Sequence, residues 1–287
     1  MHIVKSFLAI TLFLTLAAAT AFAQRSASEE LRLGAEAANT GNFSQAAGHF
    51  QSAARLQPNS LLARLHLASA YAREYMAGPP ASRSEALAEQ AIKAYDSALR
   101  LDPSNKLALW DLAVFSLAAG HPQASKQSCE KLIQVDGTNA NAWYLLGMLD
   151  WELSFKPYLE TLREAGLKPG QPGFIRNTSL REKYRAAQSP LITAGLQAAR
   201  KARQLDPNLS AAMIFENMLL RESAAFAENE ESYRRTIAEA DMLAAKAGTT
   251  RQPLAGASTQ PELQPNAPPP PLAAPPPPPP PPRPTSG

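Results

Sequence analysis

The sequence predicts an all-α chain built from repeated pairs of short helices, and three observations carry that expectation. The first is composition. Of 287 residues, 45% are hydrophobic, with alanine and leucine dominant, a balance that suits helices packed around a sizeable core. The second is the stretch from Leu33 to Pro58, which reads as two helices back to back. Leu33, Gly34 and Ala37 share a face of the first helix, Gly41-Asn42-Phe43 makes the turn, and Ala46, Phe50 and Ala53 form a stripe on the second. Small residues there let two backbones approach closely, while Phe43 and Phe50 fill the space between them. The third is recurrence. The unit closes at Pro58, and equivalent closures fall at Pro103, Asp136-Gly137 and Pro207, separated by about 34 residues or by that length plus an insertion.

Five units follow from this spacing, covering about 27–60, 61–105, 106–139, 140–209 and 210–247. In the second, Leu67, Ala68 and Tyr71 occupy the first-helix positions. An insertion from Met76 to Ser82 carries the paired prolines Pro79-Pro80, which forbid helix continuation. Ser84 then caps a helix bearing Ala91, Tyr95 and Ala98. In the third unit, Gly120-His121-Pro122 forms the turn, and Ser125, Cys129 and Leu132 take the stripe. The fourth has a strong first helix through Trp151, then a long insertion from Ser154 to Thr178, with an amphipathic piece at Pro157–Ala165 and a Gly/Pro-rich loop. Ser179 is expected to cap its second helix, and Pro190 to bend or interrupt that helix. The fifth unit lacks a closing proline and reads as a solvent-facing cap.

Both ends depart from this pattern. Met1–Ala23 has the layout of a secretory signal: Lys5, an apolar run from Phe7 to Ala19, and Ala21-Phe22-Ala23 before Gln24. Cleavage after Ala23 would leave an exported protein, periplasmic or extracellular, with no membrane span. From Gly248 onward the chain carries well over half of its 26 prolines, and no apolar periodicity survives. That tail, 248–287, is expected to be disordered or a polyproline II rod, serving either as a stiff tail or as a docking ligand.

The chemistry of catalysis is missing from the sequence. Net charge is +3, spread thinly, with no basic stripe for nucleic acid. The single cysteine, Cys129, permits no internal disulfide and sits on an apolar helix face, as a core residue would. His49, His66 and His121 lie in different units, without metal-pair spacing, and no phosphate loop or nucleophile elbow occurs. Asp150 is expected to make a helix-surface or interhelix hydrogen bond, and Asp102, Asp136 and Asp206 to form turns. No catalytic residue, metal or cofactor is expected.

The segment Trp143-x-x-Leu146-Gly147, with the Leu33–Pro58 unit, resembles the tetratricopeptide repeat, and the likeness runs from about Ser26 to Ala247. Its Leu-Gly-Met-Leu-Asp-Trp segment and Gly-Leu-Lys-Pro insertion are similar to those of exported bacterial members without assigned activity. The resemblance implies a right-handed solenoid whose first helices line a concave groove. By position, Leu65, Arg73, Trp110, Val114, Tyr144, Met148 and Trp151 would form an apolar and aromatic partner-binding surface, with Ser69, Ile214 and Met218 beside them. The Lys/Asn set with which some relatives hold a peptide carboxylate is missing at these places. Arg73 and Arg221, at the groove edge, are expected to be solvated. The implied function is a non-catalytic scaffold for a protein or peptide partner. The alternative is a structural envelope component whose repeats stack or self-associate.

Overall fold

A computed structural model describes residues 26–79, 83–168, 173–249 and 263–273. The chain is all-α, with ten helices and no strand among the described residues. In chain order these are α1 (26–39), α2 (Phe43–Leu56), α3 (Leu61–Ala77), α4 (Glu85–Leu101), α5 (Lys106–Ala118), α6 (Pro122–Val135), α7 (Ala140–Glu164), α8 (Thr178–Leu205), α9 (Ser210–Ala225) and α10 (Glu230–Thr249). They form five consecutive pairs. The signal-like segment, the tip of the Pro79-Pro80 insertion, 169–172 of the Gly/Pro-rich loop, and the tail at 250–262 and 274–287 lie outside the described residues, while Gly248 and Thr249, expected in the tail, end α10.

Local chemistry sets the ends of the helices. Side-chain oxygens of Ser60, Ser84, Asn105, Asn139 and Asn177 accept the backbone N–H three residues on, satisfying donors that a helix start leaves orphaned. Between pairs, Asp102, Asp136 and Asp206 each accept the N–H two residues ahead, closing the same turn three times. Gly41 and Gly120 turn the chain within pairs at φ of 80° and 82°, a region that costs a side chain strain.

The chain divides into two compact units, with the border inside α5. The first comprises the described residues from Ser26 to Phe115 together with Leu263–Leu272 of the tail. Its core joins Leu31, Ala35, Ala38, Ala46, Phe50, Ala53 and Ala63, all buried. Gly34 permits this packing, because a Cβ there would lie 2.4 Å from the Phe50 ring. Leu263, from the proline-rich tail, belongs to the same cluster.

The second unit, from Ser116 onward, repeats the device. A Cβ on Gly147 would lie 3.1 Å from the Ala199 nitrogen, so α7 and α8 touch through backbone. Here the structure corrects three expectations. First, α7 does not end near Ser154; it runs on to Glu164 with Pro157 inside it. Leu162, Tyr158 and Trp151 pack into a cluster with Ile175, Tyr184, Leu219 and Phe226, and that burial outweighs the hydrogen bond that Pro157 forfeits. Second, α8 is continuous from Thr178 to Leu205 with Pro190 inside it. Third, Asn177, not Ser179, caps α8, its side chain accepting from the Leu180 N–H at 3.0 Å. Asp150 makes an interhelix ion pair with Lys126 of α6 at 2.5 Å, and Cys129 is fully buried, its thiol pushed up to about 12 by burial.

Candidate functional site

The feature that most resembles a binding site lies in the first unit. The segment 263–272 is seated against side chains from α1, α3 and α5, the first helices of their pairs. It begins in a turn, where Gln264 accepts the Ala267 N–H at 3.3 Å, with Pro265 and Asn266 in the middle positions that suit them. The chain then runs extended through Pro268–Pro271 to Leu272. Leu263, Pro269 and Leu272 are buried, while Gln264, Asn266, Pro268 and Pro271 face out.

Side chains of the helices hold the segment by its backbone. Asn39, at the end of α1, pairs with both polar groups of Leu263: its Oδ1 accepts the N–H at 2.7 Å and its Nδ2 donates to the carbonyl at 3.1 Å. Arg73 Nη2 donates to the Pro270 carbonyl at 2.9 Å, and its Nε donates to Ser69 at 3.0 Å. Trp110 Nε1 donates to the Leu272 carbonyl at 2.9 Å. Asp111 Oδ1 accepts the Leu272 N–H at 2.7 Å. These assignments match what each group can do. Prolines offer carbonyls and no N–H, and Arg and Trp are donors only; the N–H that ends the proline run meets a carboxylate.

Burial shapes the electrostatics. Asp111 is pushed up to about 7 by burial, against the Leu272 N–H, the Arg73 charge and the Tyr95 hydroxyl, which lies 3.4 Å from its Oδ2. Tyr95 is fully buried and raised well above its usual range by the same burial. The Arg73 guanidinium is lowered by burial, offset in part by Asp111. His66, stacked on Phe50 at 4.8 Å, is pushed down to about 4 by burial, with the backbone of Ala267 and Gln264 pulling the other way. Neither ring nitrogen has a described partner within hydrogen-bond geometry, so that pull is weak.

The expected surface residues fall into both units. Leu65, Arg73, Trp110 and Val114 are buried in the first, and of these Arg73 and Trp110 hold the tail backbone. Arg73 is thus a correction: 6% exposed, it is not solvated. Arg221, in the second unit, is corrected likewise; it donates to Asn217 at 3.2 Å and pairs with Asp241. Tyr144, Met148 and Trp151 come together in that unit around Phe215, with Tyr144 donating to the Met148 sulfur at 3.7 Å and Trp151 half-buried 5.6 Å from the Phe215 ring. Ile214 and Met218 are half-buried in α9. Sequence reasoning missed Asn39, His66 and Asp111. For Asp111 a signal existed: it is the one charged residue in the apolar run Leu107–Phe115.

A cavity of about 300 Å³ in the second unit is lined by Tyr184, Arg185, Ile192, Leu196 and Phe226. Arg185, its cation, is already engaged with the Phe226 carbonyl. Among the described residues no cluster of His, Cys, Asp and Glu could hold a metal, and no helix is long and apolar enough to cross a membrane.

Solved structures share this arrangement of helix pairs. A MamA protein superposes with a TM-score of 0.50 at 16% identity, covering 78% of this chain and 96% of its own. MamA (41-end) from Desulfovibrio magneticus RS-1 gives 0.51 at 14% identity, covering 77% and 96%. The fold is that of the tetratricopeptide repeat. At these identities the likeness concerns the fold alone; no family model and no curated relative matches the sequence. In tetratricopeptide terms, the tail contacts Asn39, His66, Arg73, Trp110 and Asp111 all stand on first helices, the face on which Leu65, Arg73, Trp110 and Val114 were expected to act.

Proposed function

We propose that this protein is a non-catalytic interaction scaffold that grips an extended, proline-containing segment of a protein partner along α1, α3 and α5. One observation carries the reading: the segment 263–272 is held on those helices by backbone hydrogen bonds at Leu263, Pro270 and Leu272. A site that pairs with backbone and buries only every few side chains recognises conformation first and sequence second. Extended proline-rich chain suits it, because its stiffness lowers the entropy lost on binding.

Catalysis has no support in the geometry. Asp111, the perturbed acid of the site, has one oxygen on the Leu272 N–H and the other near Tyr95, which makes it a backbone clamp. The setting that goes with this reading is the periplasm or the exterior, on the strength of the Met1–Ala23 layout.

Crosslinking in cells, with mass-spectrometric identification of partners, tests the reading on the full chain. Asn39→Ala/Trp110→Ala should lose a partner that the wild type captures. An identical partner set in both would sink it.

A further inference from the structure

We infer that Leu263–Leu272 is a tethered competitor: the protein's own tail fills the peptide seat of the first unit, and a partner gains access by displacing it with a segment of the same pattern. This rests on the scaffold reading above and adds to it the identity of the occupant and the chemistry of the partner. That chemistry follows from what the seat reads. One end needs a residue that offers both N–H and carbonyl to Asn39 and an aliphatic side chain to the Leu31–Phe50 core, which excludes proline and favours leucine. Six positions on, Pro269 is buried, and the next carbonyl must reach Arg73. Two further on, Leu272 again presents N–H and carbonyl, to Asp111 and Trp110, and buries its side chain. The partner segment is therefore leucine, a turn, a proline run and a second leucine; Gln264 and Asn266 face out and are free to vary, while the outward-facing Pro268 and Pro271 serve to keep the run stiff.

The tail is suited to be displaced. Its grip consists of two leucines, one proline and five backbone hydrogen bonds, a small set beside the helical core. To that grip is added the advantage of belonging to the same chain, since tethering confers an effective concentration of order mM. A free segment of equal intrinsic affinity must overcome that advantage.

The test uses a fluorescent decapeptide with the sequence of residues 263–272 and the full-length chain. Leu263→Asp/Leu272→Asp, which unseats the tail, should bind the decapeptide at least about tenfold more tightly than wild type, and adding Asn39→Ala should remove the gain. Because Leu263 packs in a core, Pro269→Asp provides a second opened tail that leaves both leucines in place, and circular dichroism verifies the helices. It should shift affinity in the same direction. Equal binding by wild type and both opened variants would overturn the competitor and leave the scaffold reading standing. No binding by any folded variant would overturn both. A wild-type dimer that the decapeptide converts to monomer would show the tail seated in a second copy, and would overturn the tethered arrangement.

Discussion

Asn39 has a role out of proportion to its size. A single carboxamide meets both polar groups of Leu263, so alanine there leaves an N–H and a carbonyl without partners beside an apolar core. Asn39→Ala should destabilise the tail's seat by about 1–3 kcal/mol, read as faster hydrogen exchange at the Leu263 amide with the α7–α8 amides unchanged. Gly34 makes an equally local demand. Gly34→Ala would drive a methyl into the Phe50 ring, and should lower stability by about 1–3 kcal/mol in urea denaturation. The two residues differ in how far the sequence announces them. Gly34 stands beside Leu33 in a pattern that repeats, and its partner Phe50 lies in the same unit. The partner of Asn39 lies 224 residues away in a segment without periodicity, and an asparagine near a helix end has several ordinary explanations.

For the helices, the expected all-α fold of helix pairs holds, while α7 and α8 run on without interruption past Pro157 and Pro190. Pro157 and Pro190 sit inside α7 and α8 because the apolar cluster around Leu162, Tyr184 and Phe226 rewards continuity more than one missing hydrogen bond penalises it. No count of local preference contains that burial. Pro157→Ala should therefore stabilise the second unit, by up to about 3 kcal/mol, seen as a higher denaturation midpoint; a fall would mean that the ring's own packing dominates. The same helices hold Glu222 of α9 between Ser154, at 2.9 Å, and the Tyr184 hydroxyl, at 2.5 Å. Burial raises its carboxyl to about 7, with both hydrogen bonds opposing. Between an unfolded value of 4.5 and about 7, the native chain keeps a proton that the unfolded chain releases. Stability attributable to this group is thus full below that window and declines as pH rises through it. Glu222→Gln should flatten the decline, measured by urea denaturation at about pH 5 and about pH 8.

For the whole molecule, the tail breaks the order of the chain. Residues 263–272 follow the helices of the second unit in sequence and belong to the first. Repeat logic describes neighbours in sequence, so it accounts for the helix pairs and has no means of placing a segment that folds back. The sequence did mark the tail as different in kind, by its prolines. Trp110 reports on its seating, since its Nε1 bonds the Leu272 carbonyl. Leu272→Asp should move tryptophan emission to longer wavelength and increase quenching by acrylamide, while Trp143, whose Nε1 bonds the Gly137 carbonyl, keeps its environment.

The prolines between the two anchored leucines also fix a distance. A polyproline stretch advances about 3.1 Å per residue and resists both compression and stretching. Pro268–Pro271 therefore acts as a gauge between the Gln264–Ala267 turn on one side and the Trp110–Asp111 pair on the other, with Arg73 holding the Pro270 carbonyl within it. A chain longer or shorter by one proline would carry its final leucine about 3 Å past its mark, roughly a full hydrogen-bond length. Such a seat selects by counting residues, and the unit of the count is a single ring.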